Sequence, residues 1–432
     1  MKRLLLVSYY FPPLAGAGVF RPLRMSKYLP RHGWNVTVLT AGARARALRD
    51  ASLASEVHPD TVVERTASLE PRSAFLALNR LGLRGLVRRL EPWFMLPDDQ
   101  RGWVPFATRR GARLFDRAPY DAIVTTAGPY SAHLVGLRLR AATGVPWVAD
   151  FRDEWTTNPY LRERYPTAWH ARRNRGMERR VLRAADRVVC VSAPWLDSLR
   201  ALGPAGHGEK FSVLENGYDA EHFAGVGGPL PERFRVVYTG TFYGHRSPGP
   251  FLDGLRRAVA PGRIPRAEIE VVIMGHGQSR QGPATDLADI LQLVEERPYF
   301  ESLRLLGRAA LLLLVVPREG GAGNHTGKLF PYLASGRPIL ALAPEDNVAA
   351  RIVRESRSGV VVPPDDPEAV ARALVERHEL WKRGILLEDQ DRQAIARYEA
   401  DPQAARWAQL LGGLVETASR SSIRRRETAR SE

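Results

Sequence analysis

Leu311-Leu-Leu-Leu-Val-Val316 leads through Gly323-Asn-His-Thr-Gly-Lys328-Leu-Phe-Pro-Tyr-Leu-Ala-Ser-Gly336-Arg-Pro338 into Ile339-Leu-Ala341. The outer segments are short, uninterrupted apolar runs, as expected of parallel strands covered on both faces. Lys328 stands at the start of a helical stretch that stops at Gly336, an ordinary exit from a helix into a strand. Strand, glycine-rich loop, helix and strand in this order make a βαβ unit, and hence a parallel sheet.

Working outward, the same alternation fills the chain. Strands are predicted at Arg3–Ser8, Asn35–Thr40, Thr61–Glu64, Ala122–Thr126, Trp147–Asp150, Arg187–Ser192 and Phe211–Leu214. A second series runs Phe234–Thr239, Glu268–Met274, Leu311–Val316, Ile339–Ala341 and Gly359–Val362. Between them, Asp219–Arg233 carries Gly225, Gly227, Gly228, Pro229 and Pro231, the composition of a linker. With 432 residues the chain is long enough for two α/β domains. The expected organisation is a first domain over 1–222, a second over 223–390, a helix over 391–418 and a disordered tail over 419–432.

Composition narrows the function. A hydrophobic fraction of 44% and a charged fraction of 25% describe an ordinary globular protein. The net charge of +16 is carried almost wholly by arginine, with lysine only at 2, 27, 210, 328 and 382. Such a bias is either a compositional habit or a surface for lipid headgroups, nucleotide phosphates or nucleic acid. No nucleic-acid module is recognisable, so nucleic acid is not expected as a partner. The single cysteine, Cys190, excludes a disulfide framework and reads as a buried strand residue. The apolar start Leu4-Leu-Leu-Val7 is too short for a secretory segment, and no run approaches the ~18 residues of a spanning helix. A cytoplasmic protein is expected.

One stretch stands apart. Ser73–Phe94 sets Phe75, Leu76, Leu78, Leu81, Leu83, Leu86, Val87 and Leu90 among Arg80, Arg84, Arg88 and Arg89. The plainer reading is a helix with its apolar stripe on the sheet and its arginines in water. The alternative is an amphipathic segment on an anionic membrane.

Candidate chemistry sits where strands end. After the first strand, Tyr10-Phe-Pro-Pro-Leu-Ala-Gly16-Ala-Gly18 lets backbone approach a ligand ahead of a helix. The spacing is not G-x-G-x-x-G, so NAD binding is not supported. Asp150-Phe-Arg152-Asp153-Glu-Trp155 closes another strand, with Arg152 either neutralising Asp150 or Asp153 or joining a site. His133 begins a helix after Thr125-Thr-Ala-Gly-Pro-Tyr. In the second half, Gly240-Thr-Phe-Tyr-Gly244-His-Arg246, Gly275-His-Gly277 and Lys328 place glycines and two cations at strand ends. Arginine and lysine are the usual means of holding a diphosphate.

Taken in order, these motifs resemble family 4 of the retaining, GT-B-fold glycosyltransferases. Those motifs are Tyr10-Phe-Pro-Pro with Gly16 and Gly18, His32-Gly-Trp-Asn-Val-Thr-Val-Leu-Thr40, Asp150 to Trp155, and Asn216-Gly-Tyr-Asp219 with Phe223. They continue with Gly240 to Arg246, Gly275-His-Gly277, Lys328-Leu-Phe and Gly336-Arg-Pro338. The resemblance implies two Rossmann-like domains facing an interdomain cleft, with acceptor on the first, nucleotide-sugar on the second, and a last helix returning to the first. It gives Arg246 and Lys328 the donor diphosphate, with Gly16, Gly18, Gly240, Gly275 and Gly277 lining the donor's place. His133 would lie near the transferred sugar, and Asp150, Arg152 and Asp153 on the acceptor side or in a structural role. No metal or other cofactor is implied. The leaving diphosphate itself would take the acceptor's proton.

The chain departs from the family at one place. Two glutamates eight positions apart are usual around the last loop, the second on the nucleotide ribose, and here those positions hold Gly323 and Pro331. Ribose contacts would then come from elsewhere, such as Glu319 or Glu345. The expected activity is sugar transfer to a glycan or lipid-linked acceptor in envelope or exopolysaccharide assembly. A catalytically silent nucleotide- or glycan-binding protein and a nucleotide-sugar epimerase are the competing readings.

Overall fold

The computed structural model describes residues 1–42, 48–158, 167–206, 208–242, 244–275, 285–386 and 389–431, without the side chains of 72, 73 and 421–431. The chain divides into two compact units, Met1–Glu215 with Ala400–Glu432, and Asn216–Glu399.

The first unit is built on seven strands: β1 (Lys2–Val7), β2 (Trp34–Ala41), β3 (Val62–Thr66), β4 (Ala122–Thr126), β5 (Trp147–Phe151), β6 (Arg187–Cys190) and β7 (Phe211–Val213). All pair in parallel, in the order β3-β2-β1-β4-β5-β6-β7. The order reverses between β1 and β4, the switch point at which such sheets bind ligands. Its helices are α1 (Phe20–Tyr28), α2 (Pro71–Arg80), α3 (Arg84–Phe94), α4 (Val104–Arg117), α5 (Ser131–Thr143), α6 (Ala168–Ala184), α7 (Ala193–Leu202) and the terminal α14 (Ala400–Ser431). Trp407, Leu411 and Leu414 on α14 recur at helical spacing and enter the same core as Leu4, Leu6, Val36 and Val124. The helix runs on to Ser431, where the sequence suggests an unordered tail after 418.

The second unit holds β8 (Phe234–Thr239), α8 (Gly249–Ala258), β9 (Ile269–Met274), β10 (Leu291–Val294), α9 (Tyr299–Gly307), β11 (Leu311–Val315) and α10 (Leu329–Ala334). It continues with β12 (Ile339–Leu342), α11 (Val348–Glu355), β13 (Gly359–Val362), α12 (Pro367–Lys382) and α13 (Arg392–Ala396). Its parallel sheet is ordered β10-β9-β8-β11-β12-β13, reversing between β8 and β11. β11 explains the continuous apolar run of the opening segment. Leu311, Leu313 and Val315 enter one core with Phe251 and Leu255, while Leu312 and Leu314 enter another with Phe330 and Leu333. A strand covered on both faces has no position left for a polar side chain.

The units divide at Glu215 and Glu399 rather than at 222 and 390. The reason is packing: Tyr218, Ile395 and Tyr398 belong to one core cluster of the second unit, and Tyr218 N–H donates to the Tyr398 carbonyl. The basic stretch after Ser73 also differs from the plainer expectation. It forms two helices, α2 and α3, whose Phe75 and Val87 pack with Met95 in a small cluster of their own. Leu76, Leu81, Leu83 and Leu86 stay exposed.

Candidate functional site

At the carboxyl end of the first sheet, the residues singled out in the sequence assemble into a network of satisfied contacts. Asp150, the penultimate residue of β5, is buried and takes a bidentate pair from Arg21, with Nε and Nη2 each at 2.8 Å. Arg21 also donates to the carbonyls of Leu214 and Glu215 and lies 5.4 Å from the Trp407 ring centroid. The partner of Asp150 is therefore Arg21, not Arg152. The buried Arg152 instead donates to three backbone carbonyls: Gly18 at 2.8 Å, Ala127 at 2.6 Å and Gly128 at 3.0 Å. It ties the loop after β1 to the loop after β4. Gly18 must be small there, since a Cβ would stand 3.0 Å from Tyr10 and 3.3 Å from Arg152. Gly16 has open space around it, and Asp153 is exposed.

His133, in the first turn of α5, is wholly buried. Its Nδ1 is 2.7 Å from the Thr125 hydroxyl, and its ring lies 4.5 Å from Phe151. Burial and the charge of Arg152 push its pKa down to about 3, so the imidazole is neutral across any working range. It is suited to accept or donate one hydrogen bond, not to cycle as an acid and base.

The second unit's switch point is built differently. Gly240 follows β8 with φ of 110°, and a Cβ there would fall 2.5 Å from Lys328 Cε and 2.7 Å from Nζ. Only glycine allows this conformation and lets the lysine stem lie against the backbone. Gly275 follows β9 and is as closely set, for its Cβ would meet the Gly240 backbone at 2.9 Å. Lys328 reaches back from the start of α10 so that Nζ is 5.2 Å from the Tyr238 ring centroid. Tyr238 is itself stacked on Phe242 at 4.2 Å.

Arg246 completes the arrangement, its Nε donating to the carbonyl of Val315, the last residue of β11, at 3.1 Å. Burial and the nearby Arg246 charge together push Lys328 down to about 7. No carboxylate pairs with Lys328 among the described residues. A lysine held beside an arginine in a poorly solvated place is a site at which an anion lowers the energy of both.

Gly277 lies outside the described residues. Gly323 is buried and Pro331 sits within α10, so neither supplies a carboxylate. Glu319, just after β11, and Glu345, just after β12, are both exposed at the carboxyl end of this sheet. Sequence reasoning missed Tyr238 as the platform under Lys328 and Arg21 as the counter-ion of Asp150. For Arg21 the available signal was an arginine in the first turn of the helix after the glycine loop.

Comparison with known proteins fits this geometry. Residues 22–222 match the model of Glycosyltransferase Family 4. Sucrose-phosphate synthase from Thermosynechococcus elongatus is similar in structure, with a TM-score of 0.65 at 15% identity, over 96% of this chain and 100% of that one. HepE of Anabaena, solved in complex with UDP, gives 0.54 at 14% identity over 98% and 100%. The lipopolysaccharide outer core galactosyltransferase WaaB gives 0.55 at 13% over 97% and 99%. No curated protein matches the chain by sequence. At these identities the structural likeness speaks for the fold. The chain thus has a GT-B fold, and its residues 22–222 are similar to glycosyltransferase family 4.

Proposed function

We propose that the protein transfers a sugar from a nucleotide-sugar donor to a glycan or lipid-linked acceptor, with retention, in envelope or exopolysaccharide assembly. It would work in the cytoplasm, peripherally on the inner face of the cell membrane. The observation that carries this reading is the Lys328 and Arg246 pair at the switch point between β8 and β11, where the lysine has no carboxylate partner among the described residues. That HepE of Anabaena was solved with UDP-glucose supports a donor of this chemistry.

In this reading the donor diphosphate lies against Lys328 and Arg246, and Gly240 and Gly275 keep the backbone low enough for it to approach. As the sugar–oxygen bond breaks, negative charge grows on the diphosphate, and the two fixed cations stabilise that charge more than the ground state. The departing phosphate takes the acceptor hydroxyl's proton, so no side-chain base is required. Glu319 and Glu345 are the carboxylates placed to meet the ribose in the absence of one at Pro331. Gly277 is assigned to the donor as well. The first unit takes the acceptor around Gly16, Gly18 and Asp153, with neutral His133 as a hydrogen-bonding group. Asp150 and Arg152 hold that unit's loops.

A second reading, a silent nucleotide- or glycan-binding protein, is favoured by one observation, the absence of carboxylates at Gly323 and Pro331. Incubating the full-length protein with radiolabelled nucleotide-hexoses separates the two. Transfer or donor hydrolysis that is lost in Lys328→Ala and Arg246→Ala supports the enzyme. Tight nucleotide binding without turnover on any acceptor favours the silent protein, and release of an epimerised donor would favour an epimerase. Failure to bind any nucleotide diphosphate overturns both enzyme readings and leaves the silent protein only as a glycan binder.

A further inference from the structure

We propose that the hairpin of α2 and α3 is the element that seats this protein on an anionic phospholipid bilayer, with Leu81 and Leu83 at its tip entering the acyl region. The proposal deepens the membrane part of the function above and rests on that reading for the surface at hand.

The tip is Arg80-Leu-Gly-Leu-Arg84. Leu81 is 74% and Leu83 43% exposed, an unusual state for two leucines on a turn that water alone should cover. Leu83, Leu86 and Trp93 follow at spacings of three and seven, which sets them on one face of α3. Leu86 is exposed, and Trp93 is 49% exposed while packing on Trp169, itself 47% exposed, at 4.8 Å. A half-exposed tryptophan pair is the composition of a membrane–water interface. The inward face of the hairpin is already satisfied, since Phe75, Val87 and Met95 form its core with Leu78 and Leu90 packed against them. The exposed leucines are thus surplus to folding.

Charge identifies the partner. Arg80, Arg84, Arg88 and Arg89 are all exposed, and no carboxylate pairs with any of them among the described residues. Glu91 is the one acidic residue between Pro71 and Phe94. Elsewhere on the surface, arginines do find carboxylates, as Arg256 does with Asp286 and Arg318 with Asp365. Apolar side chains flanked by unpaired guanidinium groups fit a bilayer, where leucine enters the acyl boundary and arginine reaches the phosphates. No helix among the described residues is long and apolar enough to cross a membrane, so attachment of this kind lies on the surface.

The test is co-sedimentation of the full-length protein with sucrose-loaded vesicles of phosphatidylcholine, with or without phosphatidylglycerol, alongside sedimentation velocity without lipid. The wild type should bind the anionic vesicles, bind neutral ones weakly and lose affinity in high salt. Leu81→Ser with Leu83→Ser should weaken vesicle binding about tenfold or more. Arg80→Glu with Arg84→Glu, which reverses both charges, should weaken it by at least about fivefold for each arginine removed. Both variants alter exposed residues and should keep the wild-type melting temperature and nucleotide affinity, so loss of membrane binding is read apart from loss of donor binding. No binding to anionic vesicles by a protein that still binds nucleotide would overturn the proposal. So would variants that bind as the wild type does, or a dimer that the leucine variant dissociates, which would assign the face to a second copy of the chain.

Discussion

The two switch points are built from the same parts and put them to different use. Each has glycine loops, buried arginine and an aromatic neighbour at the carboxyl ends of parallel strands. At the first unit's switch point the two buried charges are answered: Asp150 by Arg21, and Arg152 by three carbonyls. In the second, Lys328 faces a ring and another cation. The difference teaches that charge at a strand end is no measure of function by itself. A saturated cation fixes loops, and an unsaturated one waits for an anion.

The largest expected effect breaks the first switch point. Asp150→Ala leaves the buried Arg21 without its counter-ion and should destabilise the first unit by about 3–5 kcal/mol, read by denaturant unfolding. Lys328→Ala should do the opposite kind of damage. Removing a half-buried cation that lies beside Arg246 should leave stability unchanged or higher, while nucleoside diphosphate affinity falls by about 1.5–3 kcal/mol. Titration calorimetry and a melting curve on the same sample check both halves. If Lys328→Ala unfolds the protein and Asp150→Ala does not, the contrast between the sites is reversed.

Gly240→Ala sharpens the contrast. A Cβ at that φ strains the backbone by about 1–3 kcal/mol, and it must push Lys328 away from its place. Affinity for a nucleoside diphosphate should drop about as far as one ordinary hydrogen bond, near 1 kcal/mol. The smallest effect is in pH. The free protein holds Lys328 at about 7, so the ammonium is present below that value and lost above it. Binding an anion favours the protonated form, and affinity should therefore weaken as pH rises through 7, by at most about tenfold per unit. Lys328→Arg, which stays charged, should remove that slope.

Much of the architecture was legible because buried parallel strands leave a plain signature. Ala122–Thr126, Phe234–Thr239 and Gly359–Val362 fall where their apolar runs predict. β10 was not legible: Leu291–Val294 is an edge strand whose exposed Gln292 and Leu293 break the buried pattern. The single helix expected over 391–418 is two helices, α13 and α14, divided at 397–399. Residue pairing was the harder part. Arg21 and Asp150 lie 129 positions apart, and which of two nearby arginines answers a carboxylate depends on the strand order. For the same reason Lys328 could be singled out as a scarce lysine in a glycine loop, while its seat against Gly240 and Tyr238 needed β8 and β11 to be neighbours.

The most direct test of the cation pair is calorimetric titration of UDP at about pH 8, repeated in buffers of different ionisation heat so that proton exchange is read along with affinity. Binding should draw about one proton from solution as the neutral Lys328 becomes charged against the diphosphate, and Lys328→Ala should abolish that uptake and weaken binding together. Equal affinity and equal proton exchange in the two proteins would contradict the assignment of Lys328 to the donor.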